Sequence, residues 1–383
     1  MLRQEAVDQF SNGKSANAIC TTLKCSRSWF YKWLNRSKSG DQQWYKCESR
    51  EPKNSPNKIS SNIENTICLL HNSLDKKDLF CGAQSIFWEM NDLEINDIPS
   101  VRTIDRVLAR KGLIRQKQKY KTKGQKYPYF EAKKPNQIHQ VDFVGPCYLS
   151  GPIRFYSLNV MDLATRRCAI QPVLSKGSQD MLDALWAIWH RIGIPDILQI
   201  DNEMVFYGSQ RYPRAMGPII RLCLTNGSTP LFIPQREPWR NGVVEKFNDH
   251  YQQKFLTRKT MFNYEELLQG SLEFEQKYNN IFRLSFLNGK TPLTTFKNMN
   301  AKLIFPADKI APRHRIEKPE KGFYHLVRLI RSNKILNIFG ETFKMPDSLM
   351  YEYVIATIDV KEQKLLVYNS NKKLIKNYDY KSR

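Results

Sequence analysis

Two apolar, strand-like runs in this chain carry an aspartate where a buried strand normally holds an apolar side chain. Asp142 interrupts the run 138–145, and Asp201 closes the run 196–201. A third acid, Glu245, opens a stretch with the polar and apolar periodicity of a helix. Burying a lone carboxylate is costly unless a positive group compensates its charge. Three such carboxylates brought together therefore indicate a divalent metal site between two strands and a covering helix.

The composition of the chain is strongly basic. Its 383 residues contain 60 lysines and arginines against 37 acids, which gives a formal net charge of +23. A net charge of this size indicates what the protein binds and does not indicate its fold. The partner that it favours is a polyanion such as nucleic acid. No apolar run reaches the ~18 residues of a membrane span, and the first residues lack the apolar core of a signal peptide. We therefore expect a DNA partner, no membrane, and a cytoplasmic, nucleoid-associated protein.

Residues 1–40 have the pattern of three short helices. Apolar residues recur at helical spacing, Asn12-Gly13 marks the end of the first helix, and Ser26 or Ser28 can cap the third. Two short helices, a tight turn and a basic third helix are typical of a helix-turn-helix DNA-binding domain. The alternative is a small three-helix bundle with solvated lysines. The predicted DNA contacts are Arg27, Ser28 and Lys32.

A linker at 41–60, rich in Ser, Lys, Asn and Pro, leads to a second group of three predicted helices at 61–114. The last of these helices follows Pro99, is capped by Ser100 and ends at Gly112. We interpret the segment as a second helix-turn-helix domain, of the winged-helix-like kind. Its predicted DNA contacts are Arg102, Thr103, Arg106 and Arg110.

A basic connector follows at 115–136. Its first twelve residues include six basic side chains and no acid, so they cannot build a core. Charge runs are usually solvated segments, but this one lies between a DNA-binding segment and the acidic runs, which favours contact with phosphates. The predicted contacts are Lys117, Lys119, Lys121 and Lys123.

From residue 137 the sequence changes to an α/β pattern. Strands are predicted at 138–145, 153–161, 167–174 and 196–201, with a helix from 178 to 192 before the last strand. Hairpin-joined strands followed by a helix and a return strand predict a mixed sheet. We therefore expect a multidomain chain with an α/β core at 137–300, a linker at 301–320 and, from short alternating strands, a small basic β-barrel at 321–383.

Cleavage and transfer of a phosphodiester require charge stabilisation on both the attacking and the leaving oxygen. Two divalent ions meet this need, and hard ions such as Mg²⁺ or Mn²⁺ take carboxylate oxygens as ligands. Asp142, Asp201 and Glu245 are the predicted ligands of two such ions in one site. Asn248 shares a helix face with Glu245 and is predicted to contact DNA, as is Asn241 just before that helix.

Four ordered motifs around the three acids resemble those of a known family. They are His139-Gln-Val-Asp-Phe143, Asp162-Leu-Ala-Thr-Arg166, Ile200-Asp-Asn-Glu-Met-Val-Phe206 and Pro238-Trp-Arg-Asn-Gly-Val-Val-Glu245. The chain is similar to the DDE transposases of the retroviral-integrase catalytic core superfamily, of the insertion-sequence type. The resemblance implies an RNase H-like core and metal-dependent DNA cleavage and strand transfer by Asp142, Asp201 and Glu245. It also implies a homo-oligomer that acts on terminal inverted repeats and target DNA.

Two features depart from the family pattern. Glu203 stands where the family usually has Gly, and the segment between Asp201 and Glu245 is longer than usual, with a basic aromatic loop at 207–214. Neither departure removes a predicted ligand. Three other functions stay open: a metal-dependent nuclease that cuts without joining, a repurposed non-catalytic DNA-binding protein, and a structural scaffold. A joined DNA product would separate the transposase from the nuclease.

Overall fold

The computed structural model describes residues 2–47, 59–114, 127–128, 130–203, 206, 214–309, 311–312 and 316–382. The chain divides into two compact units, Met1–Ser60 and Ser61–Arg383. In the described ranges, no helix combines the length and the apolar character that crossing a membrane requires.

The described part of the first unit, residues 2–47, contains the three predicted helices: α1 (Leu2–Ser11), α2 (Ala16–Thr22) and α3 (Arg27–Ser37). Ser26 caps α3, because its side chain accepts a hydrogen bond from the backbone N–H of Trp29. The apolar side chains at helical spacing meet in a core around Ile19 and Phe30, both fully buried. The short helices thus owe their stability to this shared core rather than to helix propensity.

The second unit begins with three more helices, α4 (Ser61–Lys76), α5 (Ala83–Asp92) and α6 (Val101–Arg110). Ser100 caps α6 by accepting from the backbone N–H of Thr103. Ion pairs fasten this trio to the rest of the unit, since Asp75 lies 2.9 Å from Lys254 and 2.8 Å from Arg258. The trio therefore packs within the same unit as the α/β core.

The core contains the mixed sheet that the sequence predicts. The core begins with strands β1 (Ile138–Tyr148), β2 (Arg154–Asp162) and β3 (Cys168–Val173), of which β2 pairs antiparallel with both β1 and β3. Helix α7 (Ser178–Ile192) leads to β4 (Ile197–Ile200), which is parallel to β1. Helix α8 (Pro218–Thr225) then leads to β5 (Thr229–Phe232), which is parallel to β4.

Alternating side chains of these strands face two different layers of helices, as the period of two in a strand requires. Val141 and Leu158 pack in one cluster with α7 and α8. Val144 and Met161 pack in the other cluster, against α9 (Gly242–Tyr251) and α10 (Tyr264–Ile281). Asp142 has the parity of Val144, so it points to the layer that contains α9.

The remaining elements are α11 (Pro292–Asn298), β6 (Phe323–Leu329), β7 (Ile335–Ile338), β8 (Glu341–Lys344), β9 (Tyr353–Asp359), β10 (Lys364–Tyr368) and β11 (Leu374–Asp379). The sheet has the order β11-β10-β9-β6-β5-β4-β1-β2-β3, and β7 pairs with β8 alone. Its hydrogen bonding does not show the separate barrel that the sequence predicts. The reason is that β6 pairs with β5, which makes the last strands an extension of the core sheet.

Candidate active site

Asp142 and Asp201 are positioned by two neighbouring parallel strands. Asp142 lies within β1, and Asp201 follows the last residue of β4. The two strands pair in the register Ile138 to Ile197 and Gln140 to Gln199. The same register continued by two residues sets Asp142 beside Asp201. The sheet therefore brings together two acids that are distant in sequence.

Glu245 lies in the first turn of α9, and two buried glutamines tie the start of this helix to the strands. Gln140 accepts hydrogen bonds from the backbone N–H groups of Val243 and Val244, each at 3.2 Å. Gln199 donates to the carbonyl oxygen of Arg240 at 3.0 Å. Each glutamine lies two residues before one of the aspartates, on the same face of its strand. The strands that carry the two aspartates thus also hold the helix that carries Glu245.

A chain of amide groups orients the Asp142 carboxylate. Asn248 on α9 donates to Asp142 Oδ2 at 2.9 Å and accepts from Asn159 on β2 at 2.8 Å. Asn159 in turn accepts from the Ser157 hydroxyl at 2.8 Å. Ser157 and Asn159 are fully buried, so this chain fixes the position of one carboxylate oxygen of Asp142.

The two asparagines predicted to contact DNA, Asn241 and Asn248, bind protein groups instead. Asn248 is 6% exposed and contacts Asp142 as described. Asn241 is 2% exposed, donates to the Val141 carbonyl at 3.2 Å and accepts from Gln199 at 3.0 Å. Burial and these bonds give both asparagines a positioning role, and their contact with DNA stays a prediction.

Burial and mutual repulsion make the charged forms of the acids unfavourable. Burial, together with repulsion from Asp201, Glu245 and Glu203, raises the pKa of the Asp142 carboxyl to about 7. Burial, with a smaller effect of Glu203, raises the pKa of Asp201 to about 6. The pKa of Glu245 is also raised, first by burial and then by Asp249. A cation between these groups would reverse the effect.

The extra carboxylate at Glu203 has its own partner. Lys176 lies 2.9 Å from Glu203 Oε2, and its ammonium group stands 4.7 Å from the ring centroid of Phe143. The backbone N–H of Glu203 donates to Asp201 Oδ1 at 3.0 Å. Lys176, which the sequence did not single out, thus neutralises the charge that departs from the family pattern, and the backbone of Glu203 supports Asp201.

The acidic side chains of the site have the right chemistry for a divalent cation, but their spacing in this conformation does not form a complete ligand set. Carboxylate oxygens are the ligands that Mg²⁺ and Mn²⁺ prefer, and Asp142 shares a cavity of about 470 Å³ with Glu245, Asn248 and Asp249, here called the acidic cavity. Among the residues that the structure describes, no three His, Cys, Asp or Glu side chains lie close enough to hold one metal ion together. In this conformation the three acids are neighbours that have not converged on one metal ion, because repulsion between like charges opposes a closer approach. Their role as ligands stays a prediction.

The comparisons with known proteins agree with the motifs and with this site. A model of the homeodomain-like domain matches residues 1–45, and a model of the integrase core domain matches residues 226–292, which contain Glu245. These two matches support the predicted relationship of the chain to the integrases and transposases. The predicted relationship is therefore confirmed, and an integrase core makes the chain a polynucleotidyl transferase by type.

Solved structures were also compared with the chain. The HTLV-2 integrase catalytic core domain in complex with magnesium, in its trimeric form, is 16% identical, covers 43% of this chain and 99% of that one, and has a TM-score of 0.33. The simian T-cell lymphotropic virus intasome in complex with PP2A regulatory subunit B56 gamma is 13% identical, covers 74% and 88%, and has a TM-score of 0.38. No curated protein matches the chain in sequence.

The other residues predicted to contact DNA differ in their exposure and in their protein partners. Arg27, Ser28 and Lys32 are exposed on α3, and Arg102 and Arg106 are exposed on α6. Thr103 is half-buried and its hydroxyl lies 3.0 Å from that of Ser100. Arg110 forms an ion pair with Glu64 on α4, so its guanidinium is engaged inside the trio. The predicted contacts Lys117, Lys119, Lys121 and Lys123 lie outside the described residues.

The Asp-x-x-Thr-Arg motif after β2 is structural. Asp162 is buried and accepts from the backbone N–H groups of Asn136, at 3.1 Å, and Thr165, at 3.0 Å. Its carboxylate also accepts from the Thr165 hydroxyl. These bonds close the turn between β2 and β3, so the Asp162 carboxylate stabilises this turn.

Proposed function

We propose that the chain is a transposase of the insertion-sequence type, which cuts DNA at the ends of an element and joins the freed ends to target DNA. The observation that carries the proposal is the pairing of Asp142 and Asp201 on adjacent strands under a helix that presents Glu245. This helix is fastened to both strands by Gln140 and Gln199. The integrase-core match over 226–292 supports the same reaction class.

Asp142, Asp201 and Glu245 are proposed to hold the divalent metal, two ions of Mg²⁺ or Mn²⁺. Bound metal would supply Lewis-acid activation of the attacking oxygen and charge stabilisation of the leaving oxygen. The chain itself orients one Asp142 oxygen through Asn248 and fixes the helix of Glu245 through the glutamines. It also limits the negative charge beside the site through the ion pair of Lys176 with Glu203.

The partners are proposed to be the element's terminal inverted repeats and a target duplex, bound by a homo-oligomer. The homeodomain-like match over 1–45 and the exposed Arg27 and Lys32 on α3 support contact of that helix with a DNA groove. A net charge of +23 supports binding to phosphate backbones and would keep the protein associated with nucleoid DNA.

The test is a strand-transfer assay with the DNA that flanks the gene, a target plasmid and Mg²⁺. Asp142→Asn removes a proposed metal ligand but keeps the size of the side chain. We expect it to bind DNA ends normally and to lose joined product by a factor of about 10³ or more, since it removes a group that acts only in the chemical step. Asp183→Asn, the same change at an exposed acid on α7, is the matched control and should remain active.

The products decide between the alternatives. Joined DNA from the wild-type chain, lost in Asp142→Asn and kept in Asp183→Asn, supports the transposase. Cut ends without joined product would indicate a nuclease. End binding without cutting by the wild-type chain would indicate a DNA-binding protein that has lost its catalytic role. Normal strand transfer by Asp142→Asn would refute the metal role of this residue.

A further inference from the structure

A large groove lies next to the acidic cavity and has no part in the function proposed so far. It has a volume of about 920 Å³ and runs between α5, α9 and the segment after α10. Gly242 and Lys246 line both the groove and the acidic cavity, so the two spaces adjoin at these residues. We call it the aromatic groove, because its walls include the rings of Phe80, Trp88, Phe247, Tyr278 and Phe286.

Cations stand over the aromatic rings of this groove. The Arg166 guanidinium lies 3.8 Å from the ring centroid of Phe286, and the Arg283 guanidinium lies 5.1 Å from that of Trp88. Phe286 is 63% exposed, although it is a large apolar side chain. Rings and guanidinium planes that are open to solvent are the surfaces on which nucleic-acid bases stack.

The charge of the groove also indicates a polyanion. Its described lining holds four cationic side chains, Arg166, Lys246, Lys254 and Arg283, and one carboxylate, Asp105. Acids outside the lining form ion pairs with three of them: Asp249 with Lys246, Asp75 with Lys254 and Asp92 with Arg283. A groove for an apolar peptide or a lipid would not need cations interleaved with its rings. Aromatic platforms combined with positive charge are typical of proteins that bind single-stranded nucleic acid.

We propose that the aromatic groove binds unpaired bases of a DNA strand that continues from the phosphodiester in the acidic cavity, with a base stacked on Phe286 and Arg166. This inference rests on the proposed function, since it names the form of DNA that the site takes: a duplex whose end is opened. The wall that the two spaces share at Gly242 and Lys246 is the path that we propose for the strand. Lys246, one residue after Glu245, lies where that strand leaves the acids.

The test compares three short duplexes by fluorescence anisotropy: one blunt, one with a single-stranded thymidine tail, and one with a tail of abasic nucleotides. The abasic tail keeps the phosphates but offers no base to stack. We expect the wild-type chain to bind the thymidine tail about tenfold more tightly than the abasic tail, as the loss of a stacked base predicts. Phe286→Ala should abolish this preference and bind the blunt duplex as the wild type does.

Phe262→Ala is the matched control, because Phe262 is 64% exposed and does not line the groove. It should keep the preference for the thymidine tail. The proposed role of the groove would be overturned if the wild-type chain bound the thymidine and abasic tails with equal affinity. It would also be overturned if Phe286→Ala and Phe262→Ala showed the same preference for the thymidine tail. If the wild-type chain bound all three duplexes with the same affinity, the proposal for the aromatic groove would fall and the proposed function would stand. Failure to bind any duplex would overturn the proposed function as well.

Discussion

The Asp142 carboxyl group is held where its charged form is unfavourable. Burial and the neighbouring acids raise its pKa to about 7 in the folded chain, above its ordinary value of 3.8. A folded-state pKa above the unfolded value means that the group favours folding at low pH. This contribution is lost as the pH rises through about 7. At neutral pH and without a bound cation, the site therefore opposes the stability of the fold.

Removing the charge at this position should stabilise the protein. In metal-free buffer we expect Asp142→Asn to raise the melting temperature above pH 7 by about 2–4 °C or more, since each kcal/mol corresponds to a shift of that size. The gain should shrink as the pH falls through 7 and vanish only below about pH 3, where the carboxyl is protonated in both the folded and the unfolded state. Melting curves across pH measure it.

The exposed Asp183→Asn is again the control and should leave the melting temperature unchanged at every pH. A lower melting temperature for Asp142→Asn at pH above 7 would show that the hydrogen bond from Asn248 outweighs the repulsion among the acids. Together with the strand-transfer assay, the expected result would mean that the acid is retained for chemistry and not for folding.

At the scale of elements, caps and periodicity in the sequence predicted most helices. Contacts between residues far apart in the sequence were not predicted. Ser26 and Ser100 cap helices where the sequence places them, and α7 spans 178 to 192 as its periodicity indicates. The four-residue strand β5 was missed because it is too short to show a period. Gln140 and Gln199 were missed because their partners lie about a hundred and about forty residues away, where local patterns carry no information.

The attachment of α9 to the sheet gives a prediction for Gln140. Gln140→Leu leaves the backbone N–H groups of Val243 and Val244 without their acceptor, which costs about 1–3 kcal/mol for each buried group. We expect hydrogen exchange at these two amides to accelerate by at least tenfold and strand transfer to fall, because Glu245 follows them directly.

Gln171→Leu on β3 is the comparison, since it alters a glutamine of the same sheet that does not contact α9. Exchange at Val243 and Val244 should be unchanged in that variant. Unchanged exchange in Gln140→Leu would mean that the packing of Val244 and Phe247, both buried, is enough to hold the helix.

At the scale of the whole molecule, the sequence predicts a separate domain after residue 320, whereas the structure joins those strands to the core sheet. The connector rich in Pro, Lys and Arg before residue 321 resembles an interdomain linker, and the alternating strands beyond it predict an independent barrel. Pairing between β5 and β6 depends on residues about ninety positions apart, so composition could not reveal it. Val354 and Ile358 of β9 belong to the same core cluster as Trp186 of α7.

The last strands also support the site. Arg328 on β6 donates to Asn202, the residue after Asp201, at 2.8 Å and to the Ile233 carbonyl at 3.0 Å. Tyr353 on β9 donates to Glu237, in the turn before α9, at 2.7 Å. These contacts run from the C-terminal strands to the elements that carry two of the three acids. Loss of the strands should therefore affect both folding and chemistry.

A fragment that ends at residue 300 tests this division. The fragment 61–300 lacks β6, which leaves the edge of β5 and the apolar core around Phe232 and Ile200 exposed. We therefore expect this fragment to lack a cooperative melting transition. Residues 61–383, which form one compact unit, should melt cooperatively at nearly the temperature of the full chain. Calorimetry on both fragments measures this. A sharp transition in the shorter fragment would mean that the C-terminal strands are a separate domain, as the sequence alone suggests, and that their pairing with β5 contributes little to the stability of the core.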